Sequence, residues 1–372
     1  MARQFVGQLN PNEIFGALYN MIISQQVFAD NIASTQSELV NMSKVDGTLY
    51  GDTKLFYATD ILGSSEWGND TEADNLLKLH RPQAPEVEEI VIDNFRQISL
   101  TVDDYLSKRA WGDAAAFGQF MSVMQGWVGE TKAVYEAKMF NTFVGTNTAE
   151  GTFQNINISL PTDENAEAEN RLQAQTIARE LADLYVNLAD ASRDYNDLGN
   201  YRSFSKEDMV VVWNSKYVNK ITKMDLPTVF HKEGLSDGFK YSLPAKYFGN
   251  IKTTKGTISG SNLVTRTLVE KDYNTVAPSD PSYVKSLHIF PGDLIPTGQS
   301  YEAYEAYDED STIIFKMYHK NAIPFMSAFE VGTSFFNAKS LTENRYLTWG
   351  YSSLDNLGNY PFITAKAKAA QA

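Results

Sequence analysis

The 372 residues contain no cysteine and only four histidines. The first absence excludes disulfides, zinc–thiolate sites and thiol catalysis, and suits a reducing cytoplasm. The histidines, His80, His231, His288 and His319, stand singly, with no pair at ligand spacing. Positive charge is also short: 32 Lys and Arg face 46 Asp and Glu, giving a net charge of −14. Nucleic-acid binders show the reverse, a clustered basic face, and an acidic wall repels phosphate. No apolar run approaches the ~20 residues of a membrane-spanning helix. The opening stretch MARQFVGQLNPNEIFG has no apolar core of a signal peptide.

Catalytic signatures are missing as well. There is no phosphate-binding P-loop, GxGxxG, HExxH or GxSxG. Lys132 in GETKAVYE lies in a helical pattern without the glycine spacing of a phosphate loop, and reads as a solvated helix face. The acidic run Asp308–Asp310 reads as a surface turn rather than a hard-cation site. Carboxylates are too numerous for any pair to stand out as an acid–base couple. The sequence therefore predicts no catalytic residue, cofactor or metal.

What is present is length. From Val87 to Val102 apolar residues fall on even positions, Ile90, Ile92, Ile98, Leu100 and Val102, the period of a half-buried strand. Asn94 and Arg96 interrupt that face, so its middle is expected to meet water or another chain. After Asp113, placed as an N-cap, the period becomes helical through Phe117, Phe120, Met121, Met124, Trp127, Val128, Val134 and Tyr135. One extended run of this length spans ~50 Å, and a helix from Ala114 to Val144 roughly 45 Å. A compact chain of this size has a diameter near ~54 Å. Elements as long as the globule is wide need outside support, and the natural support is another copy of the chain.

Elsewhere the pattern is mixed α+β. Asn12 caps a helical stretch carrying Ile14, Leu18, Met21, Ile22 and Val27. Turns at Asp46-Gly47 and Gly51-Asp52 bracket short strands, and Ser64 to Pro85 is a polar excursion. A second helix covers Ala166 to Ala191, with Ile177, Leu181, Leu184, Tyr185 and Leu188 on one face. Met209 to Trp213 is a buried strand turning at Asn214-Ser215 into a short helix. Lys246 to Pro296 is strand and turn, and STIIFKMYH, AFEVGTSFF, NRYLTWGYSS and YPFITAKA are strand-like.

This order resembles the major capsid proteins of tailed bacteriophages, whose fold is named for phage HK97: an N-terminal arm, an extended loop returning by a strand into a long spine helix, a central domain and closing strands. The resemblance implies an α+β fold with arm 1–45, strand and extended loop 46–110, peripheral domain with spine helix 111–164, axial domain 165–323, and closing strands 324–372 returning to the peripheral domain. It implies a structural, non-enzymatic subunit that assembles into hexamers and pentamers of an icosahedral shell enclosing double-stranded DNA. Partners would be other copies, a portal protein and a separate scaffolding protein; packaged DNA would be held weakly, and no membrane is involved. The implied location is the virion capsid, assembled in the host cytoplasm. Phe15 and Tyr19 in the arm, Trp67 in the loop, and Asn94 and Arg96 in the strand are candidate inter-subunit contacts. No long charged leader precedes the arm, so the subunit is expected to keep its encoded N-terminus. Competing readings are an encapsulin-like compartment enclosing protein and, given 20 Tyr and 5 Trp, a carbohydrate-binding or carbohydrate-active protein.

Overall fold

The computed structural model describes residues 37–46, 53–64, 79, 81–102, 114–149, 151–218, 241–251, 256–259, 300–303 and 307–369. The Asn12 helix, Phe15, Tyr19, Trp67, Asp113, His80, His231 and His288 lie outside them.

Two five-stranded sheets carry the fold. The first is built from β1 (Lys44–Asp46), β2 (Thr53–Ala58), β3 (Glu86–Val102), β12 (Phe325–Asn337) and β13 (Thr342–Ser352), in the order β1-β12-β13-β3-β2. The second has the order β4-β14-β11-β5-β6, from β4 (Asn155–Leu160), β5 (Met209–Asn214), β6 (Tyr241–Leu243), β11 (Ile313–His319) and β14 (Phe362–Ala369). Two small ribbons pair β7 (Gly249–Ile251) with β10 (Tyr307–Glu309), and β8 (Gly256–Ser259) with β9 (Ser300–Ala303). Helices among the described residues include α1 (Ser37–Ser43), α2 (Ala114–Thr146) and α3 (Ala166–Ala189).

The long elements form where the periodicity places them. β3 runs for 17 residues, and α2 for 33 residues, roughly 50 Å. α3 begins at Asn165, whose side chain accepts from the Glu167 N–H, and buries Ile177, Leu181, Leu184 and Leu188. β5 is buried at every position, and its last residue, Asn214, accepts from the Lys216 N–H at 3.1 Å where helical residues 215–218 begin.

Of the helical face read in the sequence, the side chains of Phe117, Phe120, Met121, Met124 and Trp127 lie outside the description. Val128, Val134 and Tyr135 are only half-buried, whereas nearly every residue from Glu136 to Asn147 is buried. A helix buried all round has no single apolar stripe, and the reason is its position. Ala137, Met139, Phe140 and Val144 enter one core with Leu39 and Val40 of α1, Phe325, Trp349 and Tyr351 of the first sheet, and Val210, Val212, Tyr318 and Phe362 of the second. The opposite face of the second sheet, with Val211, Trp213, Phe315, Met317 and Ile363, packs on α3.

Phe362–Ala369 does not return to the sheet beside β12 and β13: it pairs with β11 and β4 in the second sheet, and β4 itself is a member of that sheet. A buried glutamine lies at this junction: Gln154 accepts from the Phe362 N–H at 2.8 Å and donates to Asp197 at 2.6 Å. Strand propensity was readable, but the identity of the partner strand is not a local property.

Where α2 ends, Gly145 meets the backbone of the 3₁₀ turn Ala245–Tyr247: a Cβ there would lie 2.1 Å from the Tyr247 carbonyl oxygen. Alanine normally favours a helix by ~1 kcal/mol over glycine. Here the clash is with backbone, which cannot rotate away, so overpacking decides the sign. Gly145→Ala should destabilise the subunit by about 2 kcal/mol, read as a lower urea midpoint; an unchanged or higher midpoint would contradict this close approach.

Candidate functional site

β3 organises the exposed surfaces of the chain. Its residues Ile92 to Val102 pair with β13, and Glu86 to Val91 pair with β2. One strand thus belongs to the first sheet and then to a two-stranded ribbon. The projection expected for 64–102 falls in part on residues outside those described; β3 itself is paired along its length, and on the excursion before it Ile61–Ser64, Leu79 and Arg81–Pro85 are exposed.

The root of that excursion is anchored. The Asp60 carboxylate accepts from the Arg193 guanidinium at 2.6 Å and from the Tyr201 N–H at 3.0 Å. Arg193 also lies over the Tyr201 ring at 4.3 Å, and Arg202 donates to the Thr59 carbonyl and to Asn359. On the partner strand Glu88 accepts from the Gly358 N–H at 2.7 Å, while burial raises its pKa. The N–H groups of Tyr201 and Ile61, with Arg193, hold the Asp60 carboxyl below the ordinary carboxylate range.

The expectation that Asn94 and Arg96 face water or a neighbour needs correction. Asn94 is 5% exposed, opposite Tyr351 in the register, and donates to Asp93 at 2.7 Å. Arg96 is half-buried, with its guanidinium 5.1 Å above the Tyr135 ring of α2. An arginine on an inward face can be held within its own chain, here by the Tyr135 ring of α2. Lys132 is likewise not a solvated face: its ammonium is 2.6 Å from Glu330 of β12 and 3.7 Å from Glu136, tying α2 to the first sheet. Asp310, from the acidic run, accepts from Thr312 and pairs with Lys366 at 3.1 Å. His319 is buried, stacks on Tyr360 at 4.6 Å and accepts from the Asn321 N–H, and burial lowers its pKa. Among the described residues no three His, Asp or Glu are gathered to hold a metal, and no helix is long and apolar enough to cross a membrane.

The apolar surface lies instead on the odd positions of the same strand. Val87, Val91 and Phe95 are exposed, and the register sets Tyr57 opposite Val87 and Thr53 opposite Val91, with Leu55 between them. Tyr57 remains 65% exposed. From Val87 to Phe95 this face runs about 26 Å. Phe95 also covers Gly350 across the ladder, where an added Cβ would come within 2.8 Å of its ring. The signal was readable, since Val87, Val91 and Phe95 recur every four residues, but the stronger even-position alternation masks it.

A second exposed region is the β12–β13 hairpin. β1 pairs with β12 only at Phe325–Ser327, so among the described residues Val331–Asn337 have β13 alone beside them. Phe335 and Phe336 are exposed there, and Leu341 in the turn has φ of +55°. An edge without lysine, proline or a covering strand is a template for further pairing. Between this hairpin and α2 lies a groove of about 440 Å³ lined by Leu100, Val128, Tyr346 and Leu347, with Arg345 paired to Glu343 at 3.0 Å on its wall.

Solved structures share this architecture. The chain matches one in the capsid structure of Staphylococcus phage Andhra with a TM-score of 0.62 and 12% identity, covering 93% of this chain and 88% of that one. It matches a chain from the structure of the head fibre and inner core protein of native bacteriophage P68 with a TM-score of 0.59 and 12% identity, covering 94% and 88%. No family model matches the chain, and no curated protein does. At this identity the likeness defines the fold: the α+β, HK97-like fold of tailed-phage capsid structures.

The loop anchor generates a pH prediction. A carboxyl whose folded pKa is depressed contributes stability above its unfolded value near ~3.9, lost as pH falls through the lower folded value. The Tyr201 and Ile61 amides should therefore lose protection from hydrogen exchange at pH values below about 4. Asp60→Ala should show that loss already at neutral pH. Equal protection of both proteins at neutral pH would contradict the anchor.

Proposed function

We propose that this chain is a major capsid subunit that self-assembles into hexamers and pentamers of an icosahedral shell enclosing the double-stranded DNA of a tailed phage. The observation that carries this reading is the fold match over 93% of the chain to a phage capsid structure. The surface supports it: an apolar ribbon face and an open hairpin edge are what a subunit needs when neighbours complete its burial. Its role is structural and non-enzymatic. The peripheral domain comprises the first sheet with α2, and the axial domain the second sheet with α3, which moves β4 and β14 to the axial side. Phe15, Tyr19 and Trp67 remain candidate inter-subunit contacts, joined by Tyr57, Val87 and Phe95. A portal protein and a separate scaffolding protein would be its partners in the host cytoplasm, and the virion capsid its destination. With −14 per subunit, little counterion release is available to hold DNA on the inner wall.

Expression of the chain, with negative-stain microscopy and sedimentation, tests this. Closed shells or capsomer rings are the expected product, and particles purified from infected cells should contain DNA. A stable monomer under all conditions would contradict assembly, and shells filled with a protein cargo would point to a nanocompartment instead. Tyr57→Glu with Val87→Glu should leave a folded subunit, by unchanged circular dichroism and urea midpoint, while reducing the assembled fraction at least tenfold. Normal assembly of that variant would remove the ribbon face from the interface.

A further inference from the structure

The second sheet contains a charge that the proposed function does not use. Lys316 lies in the middle of β11 and is 0% exposed. Its ammonium donates to the Asn147 carbonyl at 2.7 Å and to the Thr364 hydroxyl at 2.8 Å, and sits 5.8 Å from the centre of the Phe362 ring. Asn147 is the first residue beyond α2, so the bond falls on the negative end of the helix dipole. No basic residue occupies the last turn of α2 itself, so Lys316 supplies the charge from another element. The Asn147 side chain donates in turn to Asn356, in the segment joining β13 to β14, at 2.8 Å. One buried ammonium therefore touches the end of the spine helix and the sheet it abuts, and is one residue from the crossover between the two sheets.

Among the described residues no carboxylate pairs with it directly. The nearest charges acting on it are Lys366, which opposes its charge, and Asp310, which favours it; these two are paired with each other at 3.1 Å. Its ladder neighbours are Val212 on β5 and Thr364 on β14, neither titratable. Tyr318, two residues along the strand, is kept protonated by its own burial. Burial of a charge held by neutral oxygens alone is costly, and it pulls the Lys316 ammonium down to about 7 from the usual lysine range.

We propose that Lys316 is a proton-operated pin at the joint between the α2 C-terminus and the second sheet, loosening that joint when it carries charge and tightening it when neutral. A neutral amine keeps two N–H donors for Asn147 and Thr364, so deprotonation retains both bonds and removes the buried charge. The sign follows from linkage. Once the joint opens and water reaches the amine, it recovers the ordinary lysine affinity for protons, so the open state binds more protons between about pH 7 and about 10.4, and closure strengthens as pH rises through that window. Below it both states are charged and the opening is greatest and constant.

Hydrogen exchange of the full-length subunit between pH 7.5 and 9.5, corrected for intrinsic rates, tests the pin. The opening constant reported by amides of β11 and β14 should fall about tenfold per pH unit. In Lys316→Met it should be flat over the same range. The same slope in both proteins, or none in the wild type, would overturn the proposal. If Lys316→Met does not fold, ε-¹³C-lysine NMR of the wild-type chain gives an independent reading: one lysine should titrate near neutrality, and a spectrum in which every lysine titrates above pH 9 would overturn it. Neither outcome depends on whether the subunit builds shells.

Discussion

The structure depends on one shared core. The last three turns of α2 are largely buried because residues of both sheets pack against them. The first sheet offers Phe325, Trp349 and Tyr351, the second offers Val212, Tyr318 and Phe362, and Phe140 and Val144 fill the space between. Burial of several large side chains at ~1.5–3 kcal/mol each makes this joint the main apolar bond between the two bodies. Close approach follows: only glycine at position 145 lets the helix end against the Tyr247 carbonyl. The buried Lys316 lies at the same place, where a helix terminus leaves carbonyls that need donors.

A firm joint leaves the remaining surface free for other work. β3 starts paired with β2 and runs on into its pairing with β13, with even residues turned inward and Val87, Val91 and Phe95 left exposed. The ribbon is held at its far end by polar contacts, Asp60 with Arg193 and Tyr201, and Glu88 with Gly358. Exposed ion pairs of this kind contribute little to stability; their consequence is position, fixing where the loop leaves the body. Stability therefore resides in the apolar joint and placement in the polar anchor, with the apolar ribbon face left over for contact with something else.

Much of this was legible in the sequence, for reasons that are local. Period-two alternation marks β3, helical periodicity and an Asn cap mark α3, and an unbroken apolar run marks β5. The failures share a non-local cause. Nothing within YPFITAKA says that its neighbours are β11 and β4, which lie far from it in the chain, as does Gln154, which accepts from the Phe362 N–H. Arg96 and Lys132 read as surface charges because their partners, Tyr135 and Glu330, come from other elements. Lys316 is silent in the sequence because burial of a lysine has no signature in its own flanking residues.

The central claim is that the subunit is complete in its joint and incomplete on its ribbon face. The most direct measurement is a cryo-microscopy map of the assembled particle at side-chain resolution. The account predicts that Tyr57, Val87 and Phe95 are covered by a second copy of the chain, while Phe140, Trp349 and Phe362 keep the contacts described above. A map in which the ribbon face lies bare to solvent in every subunit would contradict it.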